Sequence, residues 1–93
     1  MEPRRLSDPQ TWADQHGDYL FRCAMLRVRD RELAEEIVQD TFLAALQARG
    51  RFAGRSSERS WLVGIMKHKI VDQFRKTVRE TPTEDLDRAG LAR

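Results

Sequence analysis

Cysteine, long apolar runs and paired metal-ligand spacings are scarce or missing in this chain, and each absence narrows what it can be. Cys23 is the only cysteine, so no internal disulfide can brace the fold, and a reducing, cytoplasmic setting is expected. It sits among apolar residues at helical spacing, which suits a buried structural thiol. No apolar run approaches the ~18 residues that a membrane crossing needs. The opening Met1-Glu2-Pro3-Arg4-Arg5-Leu6 has no apolar signal-peptide core, so no membrane partner is expected. His16 and His68 are the only histidines, and no spacing of His, Cys and carboxylates suggests a metal site. Gly50 and Gly54 alone do not make a phosphate-cradling loop. Glu35, Glu36 and Asp40 fall on the polar face of a helix. Catalysis, a cofactor and a metal are therefore not expected.

With 93 residues the chain has room for one small domain, burying roughly 60–65% of its unfolded surface. Apolar residues make up 40% and charged residues 34%, a globular balance. The net charge of +2 hides an asymmetry. Residues 30–48 carry one basic and five acidic side chains, net −4. Residues 49–79 carry nine basic and two acidic ones, net +7. A cationic segment that also contains Gly, Ser and aromatic residues points to a polyanionic partner.

No stretch alternates polar and apolar residues as a strand would, and three helices account for the periodicity. The expected fold is all-α, a compact three-helix bundle with a basic loop between helices two and three. Asp8-Pro9 reads as cap and first residue of helix one, whose apolar positions are Trp12, Tyr19, Leu20, Cys23, Ala24 and Leu26. Gly17 is placed to break it into a short and a longer piece. Asp30 caps helix two, with a stripe of Leu33, Ala34, Ile37, Val38, Thr41, Phe42, Ala45 and Leu46 and a stop at Gly50. Ser56 or Ser57 caps helix three, which runs to about Val78 with its stripe at Leu62, Ile65, Met66, Ile70 and Phe74. Gly64, inside that helix, costs it roughly 1 kcal/mol relative to Ala. A close helix contact is the expectation there, and room for nucleic acid the alternative. Residues 1–8 are expected as a flexible arm, 9–80 as the helical domain and 81–93 as the start of an acidic linker.

The face of helix two opposite its stripe carries Glu32, Glu35, Glu36, Gln39, Asp40, Leu43 and Gln47. Leu43 stands out as an apolar residue among polar ones, equally a lone exposed leucine or the centre of a small protein-binding patch. On the basic segment, Arg49, Arg51, Arg55, Arg59, Lys67, Lys69, Arg75, Lys76 and Arg79 can track phosphates. Phe52, Trp61 and the loop with Gly54, Ser56 and Ser57 can receive bases drawn out of a stack.

Phe52, the Gly-Arg-Ser-Ser loop, Trp61-Leu62, Ile65, Asp72 and Arg75-Lys76, in this order, resemble the promoter-melting segment of bacterial RNA polymerase sigma factors. The small extracytoplasmic-function (ECF) group is the nearest in pattern. Glu35-Glu36-Ile37-Val38-Gln39-Asp40-Thr41-Phe42-Leu43 resembles the polymerase-docking helix of the same region 2. The resemblance covers residues 12–79. It implies contact with the coiled coil on the β′ clamp of core RNA polymerase through Glu36, Gln39, Asp40, Leu43 and Gln47, with Ile37 and Phe42 in the core. It also implies a regulatory anti-sigma partner.

By the same resemblance, residues 52–60 form the loop that captures a base extruded from the minus-ten element of the non-template strand. The helix that follows melts that element. The DNA-binding set is then Arg51, Phe52, Arg55, Ser56, Ser57, Arg59, Trp61, Lys67, His68, Arg75 and Lys76. Trp61 is expected to be at least half in the core, and Asp72 to orient Arg75 or another cation. Family members commonly carry Ala-Arg-Asn where this chain has Met66-Lys67-His68. They also add a helix-turn-helix domain that reads the minus-thirty-five element, so an isolated or truncated promoter-opening domain is expected. The alternatives are a helix-turn-helix-like regulator of duplex DNA and a helical protein-interaction module. A third helix of about 20 residues after a long loop fits the first of these poorly.

Overall fold

Asp8 opens the first element as expected. Its carboxylate accepts from the Gln10 N–H at 3.0 Å, and Pro9–Thr11 makes a 3-10 turn that runs on into α1 (Trp12–Val28). The computed structural model describes residues 4–80. α1 passes through Gly17 without a break, correcting the expected interruption; one glycine weakens a helix but does not end it when packing continues on both sides. The helix ends at Arg29, which takes the left-handed conformation (φ 53°) usual for glycine and donates its N–H to Met25 O. The chain then reverses at once, because Asp30 caps α2 (Arg31–Ala48) by accepting from the Leu33 N–H at 3.2 Å. Gly50 does not act as a left-handed stop. α2 instead tightens into a 3-10 turn over Arg49–Arg51.

The loop from Phe52 leads to α3 (Glu58–Glu80). Ser57 is its cap, its hydroxyl accepting from the Ser60 N–H at 3.1 Å. The three helices pack on one another with no strand among the described residues. The core comprises Trp12, Leu20 and Ala24 of α1, Ala34, Ile37 and Ala45 of α2, and Leu62, Met66 and Ile70 of α3. Thr41 is buried with them and is satisfied by donating its hydroxyl to Ile37 O at 2.7 Å. Trp12 packs against the rings of Phe42 and Trp61.

Four stripe positions are corrected, Leu46 of α2 among them, which lies at the surface. Phe74 is 51% exposed, Leu26 78% exposed, and Tyr19 lies at the surface. For Phe74 the reason is length. At 1.5 Å per residue α3 spans about 35 Å against about 26 Å for α1, so its last turns outrun their partners. Ile70 is the last buried residue of α3 among those described. The segment expected as a loose arm is, from Arg4 to Asp8, laid against the bundle. Arg4 N–H donates to Gly54 O at 3.4 Å, Ser7 bonds Glu58, and Leu6 packs on the core. The expected acidic linker, residues 81–93, lies outside the described residues.

Candidate nucleic-acid interface

α3 presents its cations as its periodicity dictates. With Leu62, Met66 and Ile70 turned inward, Gly64, Lys67, His68 and Arg75 recur at spacings of three, four and seven and form one outward stripe. Lys67, His68, Arg75 and Lys76 are all exposed. Asp72 is exposed too, and it makes no ion pair with Arg75 among the described residues. Gly64 corrects the expectation of a close helix contact: a Cβ built there would meet nothing within 4 Å. Tyr19, Ser60, Gly64 and Lys67 instead border a concavity of about 330 Å³ between α1 and α3.

The loop before α3 is held by packing as well as by hydrogen bonds. Gly54 has φ 77°, the one glycine among the described residues in the left-handed region, and its carbonyl receives the Arg4 N–H. Arg51 and Arg55 are exposed, and Ser56 is half-buried. Phe52 sits edge-on to Trp61 at 5.2 Å, and Trp61 edge-on to Trp12 at 6.2 Å. Trp61 is thus semi-core, as expected, and Phe52 is its outward continuation. Ser57 is occupied as the cap of α3.

Arg59, though exposed, is tied to α1. Its Nη2 donates to Gln15 O at 2.8 Å, its Nε donates to His16 Nδ1 at 3.2 Å, and its guanidinium lies 4.5 Å from the centroid of the Tyr19 ring. Of the expected DNA-binding residues, Arg51, Arg55, Lys67, His68, Arg75 and Lys76 have exposed side chains outside such structural networks. On α2, Glu36, Gln39, Asp40, Leu43 and Gln47 share one exposed face at spacings of three, four, seven and eleven. Leu43, 60% exposed, is the apolar member of that face.

Comparison with known families settles the lineage. The model of Sigma-70 region 2 matches residues 12–80. The chain belongs to the sigma-70 region 2 family. Its relatives place it with the ECF type. It is 33% identical over 69 residues to the ECF RNA polymerase sigma factor SigX of Bacillus subtilis, covering 72% of this chain and 36% of the relative. Over 74 residues it is 38% identical to the RNA polymerase sigma factor YlaC of the same organism, covering 80% and 40%. It is 45% identical over 49 residues to the ECF RNA polymerase sigma factor SigC of Mycobacterium tuberculosis, covering 53% and 26%. The chain thus spans less than half the length of these relatives. No solved structure gives a significant match.

The region 2 domain holds a polar cluster that sequence reading missed. Glu58, the first residue of α3, accepts from the N–H and hydroxyl of Ser7 and lies 2.6 Å from His16 Nε2. Because Arg59 donates to Nδ1, the neutral ring carries its proton on Nε2, aimed at Glu58. Burial raises the Glu58 pKa. The Ser7 N–H, His16 and the Ser7 hydroxyl outweigh it and hold the carboxyl below its ordinary value. Gln15 closes the cluster by donating to the Ser7 hydroxyl at 3.0 Å. His16 and Glu58 lie 42 positions apart, so no local pattern could have paired them.

Among the described residues, no helix is long and apolar enough to cross a membrane.

Proposed function

We propose that this domain serves transcription initiation by RNA polymerase: α2 docks on the coiled coil of the β′ clamp, and α3 with its preceding loop binds and melts the promoter minus-ten element through the single non-template strand. The observation that carries this reading is the separation of two outward faces on a region 2 domain. One, on α2, is acidic and polar around an exposed Leu43. The other, on α3, is cationic and interrupted by a glycine that leaves its backbone open.

The α2 face has what a small protein interface needs, an apolar centre inside a polar rim. Gln39, Asp40 and Gln47 supply donors and acceptors that can fix register, and Leu43 supplies area to bury. The α3 stripe suits a single strand. Lys67, Arg75 and Lys76 can neutralise successive phosphates, and His68 can offer both a donor and an acceptor while neutral. Arg51 and Arg55 extend the charge onto the loop. Phe52, held by Trp61, gives a base a ring to lie on. An anti-sigma factor covering the α2 face would compete with polymerase.

Two variants test the division. Asp40→Arg on the α2 face should abolish or strongly weaken binding to the β′ clamp coiled coil and leave strand binding intact. Arg75→Ala with Lys76→Ala should do the reverse, flattening the log–log salt dependence of strand binding by about 0.7 per lost phosphate contact. Unchanged coiled-coil affinity in the first, or an unchanged slope in the second, would refute the corresponding half.

A further inference from the structure

We infer, on the strand-binding reading above, that residues 4–8 form a strap that orders the base-receiving loop before the strand arrives, with Ser7 and Glu58 as its positioning residues. Neither residue has to touch DNA. Both act through the loop they hold.

Glu58 follows the loop directly as the first residue of α3. It is one of two acids among residues 49–79, a segment of net charge +7. An acid aimed at a phosphate would oppose binding there. Glu58 is partly buried instead, and its carboxylate is taken up by the strap and by α1. It accepts from the Ser7 N–H, and the Ser7 hydroxyl lies within 2.9 Å of both its oxygens. His16 Nε2 lies 2.6 Å away, so one carboxylate joins the strap, α1 and α3. Gln15 holds the Ser7 hydroxyl from its other side at 3.0 Å. Bonds to a charged acceptor are the strong kind, and three parts of the chain converge on this one.

The loop needs such an anchor. Ala53, Gly54, Ser56 and Ser57 are small, and Gly54 in particular leaves the backbone many conformations to lose. At the entrance, Phe52 packs edge-on to Trp61 at 5.2 Å. In the middle, where the chain turns through φ 77°, Gly54 O receives the Arg4 N–H at 3.4 Å, a long bond. At the exit stands Glu58, and Arg59 beside it donates to Gln15 O at 2.8 Å. The strap thus meets the loop at its turn and at its exit, while Arg51 and Arg55 stay exposed. A strand that places a base in a slack loop must also order that loop. A loop already ordered spares the strand this cost, and affinity rises without a new contact.

The test uses the full 93-residue chain and labelled non-template strands in which an abasic site replaces each minus-ten base in turn. Binding is followed by anisotropy near pH 7. In wild type, one position should lose most affinity when its base is removed, and the ratio of intact to abasic affinity there measures base capture. Ser7→Ala removes one hydroxyl and alters no charge. Ser7 lies outside the buried core, and circular dichroism checks that the bundle is retained. The variant should lower the capture ratio by about threefold to tenfold, with unchanged affinity for the abasic strand and for the β′ clamp coiled coil. Ser7→Thr, which keeps the hydroxyl, should restore the ratio. A ratio unchanged in Ser7→Ala, equal weakening of the intact and abasic strands, or no recovery in Ser7→Thr would overturn the strap and leave strand binding by the loop standing. If no abasic position weakens the wild-type chain, base capture by the loop falls, and the strap falls with it.

Discussion

Gly64→Ala separates what the fold needs from what the strand needs. The residue lies inside α3, its φ is not positive, and a Cβ built there meets no atom within 4 Å. In an exposed helix interior the change from Gly to Ala is worth about 0.5–1 kcal/mol, mostly by limiting the unfolded chain. In a domain of this size about 1 kcal/mol moves the melting temperature by about 4–8 °C. The variant should therefore melt roughly 2–8 °C higher than wild type. The same methyl group stands on the stripe with Lys67, His68 and Arg75. If a strand passes close to the backbone there, the methyl costs about 1–3 kcal/mol as an overpacked contact, a loss of at least roughly fivefold in strand affinity. Thermal unfolding by circular dichroism and strand binding by anisotropy read the two effects independently. A lower melting temperature would refute an open glycine, and a higher one with unchanged strand affinity would refute the close approach.

Leu62→Ala should cost about 2–5 kcal/mol, because its side chain is fully buried, whereas Phe74→Ala should change stability by less than about 1 kcal/mol. Urea unfolding of both variants checks this, and equal losses would show that the end of α3 is packed after all. Glu58 gives a pH prediction. Its folded pKa is depressed below 4.5, so its contribution is fully present above about pH 4.5 and is lost as pH falls through the folded value. Glu58→Gln should destabilise the domain by about 1–3 kcal/mol at pH 7. Its melting temperature should converge on that of wild type in strong acid. A gap that persists unchanged to pH 3 would remove the carboxylate from the account.

The parts of the fold that local chemistry dictates were legible. Asp8, Asp30 and Ser57 cap their helices because a short side-chain acceptor next to an apolar repeat has little else to do. Ala34, Ile37, Thr41, Leu62, Met66 and Ile70 were placed by spacing alone, and spacing is a property of one helix at a time. The failures are of another kind. Phe74 continues the α3 stripe faithfully, but whether a stripe is covered depends on the lengths of the neighbouring helices. Arg59 belongs to a cationic run in sequence and to α1 in space, held by Gln15, His16 and Tyr19. The docking of Ser7 on Glu58 joins positions 51 apart, and nothing near either one announces it. Membership of the sigma-70 region 2 family was readable from the ordered combination of motifs. The docking of the arm was not, because Arg4 and Ser7 acquire a place only when Gly54 and Glu58 fix the backbone beside them.

The most direct test of the central claim is binding of this domain to a labelled non-template minus-ten strand, with and without the isolated coiled coil of the β′ clamp. The account predicts binding that sharpens when the coiled coil is present and fades when the minus-ten bases are scrambled. Preference for intact duplex, indifferent to the coiled coil, would contradict it.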